Sequence, residues 1–390
     1  MSKYRSLFNL PESVCYLNAA FISPQMQALS EAGVKGVLLK EHPWQLQARD
    51  FYTHCDELRS WVAKLLKGKT DNVALIPAVS YGVETAVLNL PLKAGQKVLM
   101  PEGEFPSNVY PWRGVCADNK AEIVFVPRPP HYDWAEAFVA AIDQHTAVVS
   151  VPQTDWSDGS HFDLLRISQK AKSVGAALVV DLSQSFGIIP IDIQAIDPDF
   201  LFSVGYKWQL GPYGVSYMYV ADRHLGGRPL ENNWVNRKDS EDFTRLTEYT
   251  DDYQLGARRF DSGQHSQFTL LPMAIEAMRF LNNLTPERIF THIRELNETL
   301  AGGLQKLGFE VVPSRCRSGH MIGARAPAGV CVKEMCGRLR EKDIFLSVRG
   351  NSLRISPHIY NRAQDIEKLL GEIKRILDES PSARERTAEA

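Results

Sequence analysis

The stretch Phe200-Leu-Phe-Ser-Val-Gly-Tyr-Lys207-Trp-Gln-Leu-Gly-Pro-Tyr-Gly-Val-Ser-Tyr-Met-Tyr-Val220 decides how the rest of the chain is read. Two β-leaning runs, 199–204 and 215–220, flank a glycine-punctuated loop that carries a single lysine, Lys207. An ammonium in a tight apolar loop is costly to bury unless it is paired or neutralised. A desolvated lysine is also what attack on a carbonyl needs, because only the neutral amine is nucleophilic. A solvated surface loop would carry a lysine equally well, so the choice rests on what the neighbouring segments supply.

Working outward, strand-like and helix-like segments alternate from residue 73. Strand candidates are Val73–Ile76, Lys97–Met100, Ile123–Val126, Ala147–Val151, Ala177–Asp181, Phe200–Val204 and Val215–Val220, with helices at 80–90, 133–143 and 162–174. Near-continuous apolar strands separated by helices predict a mainly parallel sheet covered on both faces, an α/β fold with a three-layer α/β/α large domain. Ligands of such sheets bind beyond the carboxyl ends of the strands. Upstream, helical periodicity dominates 25–66. Lys67-Gly-Lys-Thr70 resembles the end of a phosphate loop, but the motif's first glycine would fall at Ala63 inside a helix, so it reads as a helix stop. Downstream, 221–265 is polar and irregular. Helices follow at about 266–282 and 286–307, then a small C-terminal α/β unit. The expected organisation is a large domain over 21–265, a small domain from 1–20 and 266–378, and a disordered tail, 379–390.

The residues after each strand carry the chemistry. Ala78-Val79-Ser80 opens a helix whose free N–H groups suit a phosphate, with the Ser80 hydroxyl as a further donor; read alone, Ser80 is an ordinary N-cap. Glu104-Phe105-Pro106-Ser107-Asn108 offers an aromatic ring that can stack on a flat heterocycle or simply join the core. Asp181-Leu-Ser-Gln184 places a carboxylate where it can pair with a protonated ring nitrogen or cap a helix. Tyr206 and Lys207 complete the series. A phosphate cradle, a stacking ring, an anion and an amine, in that order along one sheet, describe a site for pyridoxal 5'-phosphate.

The bulk properties exclude other classes. The chain has 390 residues, 44% hydrophobic, and a net charge of -2, which makes no electrostatic case for nucleic acid or an acidic membrane surface. Six cysteines include no CxxC pair, so neither a zinc site nor a disulfide framework is indicated. No apolar run approaches membrane-spanning length and the N-terminus shows no signal-peptide pattern, so a soluble, cytoplasmic protein is expected.

With these motifs, the chain resembles the class V aminotransferase superfamily of fold-type I pyridoxal phosphate enzymes over about 14–375. That group includes kynureninase, the cysteine desulfurases and isopenicillin N epimerase. The resemblance implies Lys207 as the Schiff-base lysine, Asp181 against the pyridine nitrogen, Gln184 at the ring oxygen and Phe105 as the stacking ring. It also implies Val79, Ser80 and Tyr206 at the phosphate, Val79 through its backbone only. Arg354, in Leu353-Arg354-Ile-Ser-Pro357, matches the arginine that grips the substrate α-carboxylate, and Asn18-Ala-Ala20 matches a segment lining the substrate pocket. A homodimer with shared active sites, acting on a free amino acid, is implied as well.

The chain also departs from the family pattern. Ile322, in Arg317-Ser-Gly-His320-Met-Ile322, stands where many desulfurases and lyases carry the cysteine that attacks sulfur, which argues against persulfide chemistry. Asp261-Ser-Gly-Gln264 replaces the Gly-Thr that reaches the partner subunit's phosphate, leaving Gln264 or Ser262 as substitutes. In the Gln153–Gly159 loop, Asp155, Trp156 and Asp158 are candidates to face the substrate. Trp234, Tyr253 and His265 are candidates for its side-chain pocket, and equally for core or dimer interface. Transamination, elimination, carbon–carbon cleavage and epimerisation share loss of the Cα proton, so a lyase, an epimerase and a non-catalytic binding protein stand beside the aminotransferase reading.

Overall fold

The computed structural model describes residues 2–379, so the expected disordered tail lies, from 380 on, outside the described residues. The chain divides into two compact units. The larger takes Ala28–Gln153 and Phe162–Thr285; of the described residues, the smaller takes those up to Gln27, Thr154–His161 and those from Pro286 to 379. This division differs from the expected break at 265/266. The helix Leu270–Leu284 stays with the larger unit because it packs along Asp50–Leu66, where Asn282 Nδ2 donates to the Trp61 carbonyl at 3.1 Å and Arg279 pairs with Glu57 at 2.9 Å. The loop 154–161 joins the smaller unit through Gly323. The Gly323 N–H donates to the Asp158 carbonyl at 2.9 Å, and a Cβ there would sit 2.5 Å from the Asp158 Cα, so only glycine permits the approach.

In the larger unit one sheet runs in the order Val73–Ile76, Ser216–Val220, Phe200–Val204, Ala177–Asp181, Thr146–Pro152, Lys97–Pro101, Glu122–Val126. Ser216–Val220 alone is reversed, antiparallel to both neighbours. The short 205–215 connection cannot hold a crossover helix, so the chain turns straight back. Val73–Ile76 and Phe200–Val204 are buried along their whole length, which is why they read as unbroken apolar runs. Phe200, Phe202, Val179, Val148 and Met100 form the core with Val83, Ala86 and Trp112 from the covering helices. The helix Asp50–Leu66 stops as expected. Lys67 turns left-handed at φ 56° and the Gly68 N–H closes on the Ala63 carbonyl at 2.9 Å, so Lys67–Thr70 is a helix terminus.

The smaller unit holds an antiparallel sheet in the order Ser347–Arg349, Ser352–Ile355, Ile322–Arg325, Glu310–Val311, and a parallel pair, Cys15–Tyr16 with Ile344–Phe345. Its core gathers Leu17, Leu300, Leu304, Leu353, Ile355 and Ile366. The helix Ala363–Asp378 contributes Ile366, Leu369, Ile373 and Ile376, one apolar stripe at helical spacing. Among the described residues, no helix is long and apolar enough to cross a membrane, and no cluster of His, Cys, Asp and Glu could hold a metal ion.

Candidate active site

All strands of the larger sheet except Ser216–Val220 point the same way, so the turns after residues 76, 101, 181 and 204 gather at one edge. Lys207 stands on the reversing loop that ends there. Gly205 donates to the Val215 carbonyl at 3.0 Å and accepts from the Gly211 N–H at 2.8 Å. A Cβ on Gly205 would lie 2.6 Å from the Val215 oxygen, so the loop closes only around glycine. The two residues after Lys207 are locked down. Trp208 is buried with its indole N–H on Gln184 Oε1 at 2.9 Å, and Gln209 Nε2 donates to Phe186 O and Ser203 Oγ, each at 2.8 Å. Lys207 itself is half-buried, its Nζ 5.8 Å from the ring centroids of both Phe105 and Tyr206.

Asp181 closes its strand with a carboxylate held from two sides: Asn108 Nδ2 donates at 2.8 Å and the Ser183 N–H at 2.7 Å. Asn108 has no role that its own motif states, although its place in Phe-Pro-Ser-Asn, one helical turn after Phe105, is the signal for it. Its Oδ1 is buried with no partner among the described residues. Phe105 caps the same helix, Pro106–Asn119, and is 41% exposed, its ring beside the Lys207 amine. Gln184 is buried; because its Oε1 accepts from Trp208, the amide presents its NH2 as the donating end. The helix Val79–Asn89 begins at extended Ala78 with no side-chain cap, Val79 buried and Ser80 exposed at its first positions. Its leading N–H groups are therefore left for a ligand or solvent. The Tyr206 phenol is half-buried 4.5 Å from the Tyr213 ring, and its pKa is raised by burial and by the acidic groups of Tyr213 and Asp181.

The 261–264 departure has a structural cause. Asp261 forms a buried ion pair with Arg59, accepting its Nη1 at 2.8 Å and the Leu75 N–H at 2.8 Å. Ser262 is buried against the edge strand, its N–H on the Leu75 carbonyl, while Gln264 stands exposed with φ 58°. Of the pocket candidates, Trp234 packs on Phe51 and Phe243, and Tyr253 lies between Arg237 and Arg259. His265 is buried on the Ser262 carbonyl, with burial lowering its pKa.

In the smaller unit Arg354 is 1% exposed. Its Nη1 donates to the Trp156 carbonyl at 2.9 Å, while Nε and Nη2 have no partner among the described residues. Burial, and then the positive charge of Arg349, pull it down to about 9. Asn18 Oδ1 accepts from Ser347 Oγ at 2.6 Å, and the Ala20 N–H donates to Ser356 Oγ at 3.0 Å, tying the N-terminal segment to both strands around Arg354. Asp155 and Asp158, offered by the sequence as residues that face a substrate, each hold backbone groups of their own loop. Asp155 Oδ1 accepts from the Ser157 and Asp158 N–H groups, and Asp158 Oδ1 from that of Ser160. Ile322 is wholly buried in its strand, opposite Ile355.

A carboxylate with fixed donors, an amine beside an exposed ring, an oriented amide donor and an uncapped helix start fit pyridoxal phosphate. Sequence comparison agrees: residues 44–369 match the aminotransferase class-V family, and the chain belongs to it. It is a pyridoxal-phosphate-dependent enzyme of that family. The chain is 25% identical over 316 residues to an uncharacterized aminotransferase, YcbU, of Bacillus subtilis, covering 81% of this chain and 82% of that one. It is 24% identical to isopenicillin N epimerase of Amycolatopsis lactamdurans, over 95% of this chain and 97% of that one. The fold is shared with a cysteine desulfurase from Thermococcus onnurineus, at a TM-score of 0.84 and 20% identity, covering 96% and 97% of the two chains.

Proposed function

We propose that the enzyme transfers the amino group of a free amino acid to a 2-oxo acid, with Lys207 as the amine that binds the cofactor and moves the Cα proton. When bound, pyridoxal phosphate supplies an electron sink that makes this proton removable. Asp181, held by Asn108 and the Ser183 N–H, supplies the fixed anion for the ring nitrogen. Phe105 provides the stacking face and Gln184 the donor to the ring oxygen. Val79, through its N–H, together with the Ser80 and Tyr206 hydroxyls, takes the phosphate. Arg354, a buried cation with unpartnered donors, receives the substrate carboxylate, with Asn18, Ala20 and Trp156 as its surroundings. Gln264 or Ser262 serves the phosphate of a second subunit in a homodimer, and the enzyme works in the cytoplasm. Exposed Tyr249, Leu255 and Trp234 on the larger unit support such an association.

The observation that carries this reading is the meeting of Lys207, Phe105 and the Asn108–Asp181 pair at one sheet edge. A second reading, a lyase that needs no amino acceptor, is favoured by Phe105-Pro-Ser-Asn108 and Tyr206-Lys207, which resemble kynureninase. Titrating the purified protein with amino acids, with and without 2-oxoglutarate or pyruvate, decides between them. Products that require the acceptor support transfer; products without it support the lyase. Lys207→Ala is expected to lose the cofactor's visible absorption band and all turnover, and normal activity in that variant would sink the assignment.

A further inference from the structure

The smaller unit carries more unpartnered positive charge than one α-carboxylate needs. Ser347 pairs directly across from Arg354, and Arg349 follows it by two positions, so strand alternation puts both arginines on one face of the sheet. Trp156 touches each of them: its carbonyl accepts from Arg354, and the Arg349 guanidinium lies over its ring, 5.4 Å from the centroid. Arg349 donates to the Val348 carbonyl through Nη1, and its Nε is buried with no partner among the described residues. A cleft of about 480 Å³ adjoins Arg349, with Asn18 and Ser347 also in its lining. It reaches Lys333 and Arg340, seven residues apart on the helix Val332–Arg340, and its lining includes no carboxylate.

Like charges held together without a protein anion oppose each other, and burial strengthens the opposition. The α-carboxylate proposed for Arg354 would answer one of the two. We infer that the substrate carries a second anionic group on its side chain, seated on Arg349, with Lys333 and Arg340 at the outer end of the cleft. The substrate class is thus an acidic amino acid. The group is a carboxylate or a phosphate, since a guanidinium accepts either through paired N–H donors. This inference rests on the function proposed above.

The test uses the cofactor-loaded enzyme and matched pairs: L-glutamate with L-glutamine, L-aspartate with L-asparagine, and O-phospho-L-serine with L-serine. In at least one pair the acidic member is expected to exceed its neutral partner by about 10- to 100-fold in kcat/KM, as charge-assisted hydrogen bonds allow. The first two pairs identify a carboxylate, the third a phosphate. Arg349→Met should erase that preference while leaving the neutral member within about threefold, and Arg349→Lys should restore part of it. Calorimetric titration of the loaded enzyme with glutarate and butyrate provides a readout without turnover; glutarate should bind tighter, and only in the protein with Arg349. Neutral members equal to or better than acidic ones, or a loss in Arg349→Met shared equally by both, would overturn the inference and leave the proposed function standing. If no amino acid alters the cofactor's absorption, the proposed function fails and this inference falls with it.

Discussion

Two buried arginines, one in each unit, show opposite uses of the same side chain. Arg59, 2% exposed, meets the Asp261 carboxylate through both terminal nitrogens and also reaches the Val73 carbonyl. Burial alone would lower its pKa, yet the charge and hydrogen bonds of Asp261 more than reverse this and raise it. Arg354 is as deeply buried but has, among the described residues, one carbonyl acceptor and no ion pair, and it is pulled down to about 9. A buried cation with its counter-ion in the chain is architecture, joining Asp50–Leu66 to the 261–265 turn. A buried cation without one among the described residues suits, on the function proposed above, an anion from outside. The burial figures do not separate the two; the partners do.

The sharpest way to break this contrast is to remove each arginine and compare stability. Arg59→Met strands the Asp261 carboxylate and is expected to cost about 3–5 kcal/mol, read from the urea unfolding midpoint. Arg354→Met strands no carboxylate and leaves only the Trp156 carbonyl without its donor, so its loss should stay within about 1 kcal/mol. Equal losses in the two variants would refute the distinction. The effect of Arg354→Met belongs in catalysis, where kcat/KM for an amino acid should fall by about 2–3 kcal/mol, or roughly 30- to 150-fold.

A subtler probe is Gly323→Ala. The added methyl would press on the Asp158 backbone and push the 154–161 loop away, loosening the Trp156 carbonyl from Arg354. A stability loss of about 1–3 kcal/mol together with a raised KM is expected; a KM left unchanged would mean the loop does not position Arg354.

The gentlest probe is pH. Carboxylate binding needs the charged form of Arg354, so butyrate affinity in the ligand-free site should be flat below about 9 and fall by up to tenfold per pH unit above it. Because the folded value lies below the unfolded one, the unfolded chain holds the extra proton between about 9 and the ordinary arginine value. The stability of the wild type relative to Arg354→Met, a difference in which the buried tyrosines and cysteines cancel, should therefore rise with pH across that window. A difference between the two proteins that falls there would show that Arg354 is already paired.

The sequence by itself determined the local pieces. The strands Val73–Ile76, Ala177–Asp181 and Phe200–Val204 begin and end where their apolar runs do, and Lys67 ends its helix, because these depend on period and turn chemistry within a few residues. The order of strand ends likewise announced which residues would share a sheet edge. Only the tertiary structure decided who holds whom. Asn108 reaches Asp181 across 73 positions, and Arg59 reaches Asp261 across 202, distances over which no periodicity carries information. The reversal of Ser216–Val220, the transfer of 154–161 to the smaller unit through Gly323, and the placing of Arg349 and Arg354 on one face follow from strand pairing and register. Register is a property of two segments at once, and neither segment states it alone.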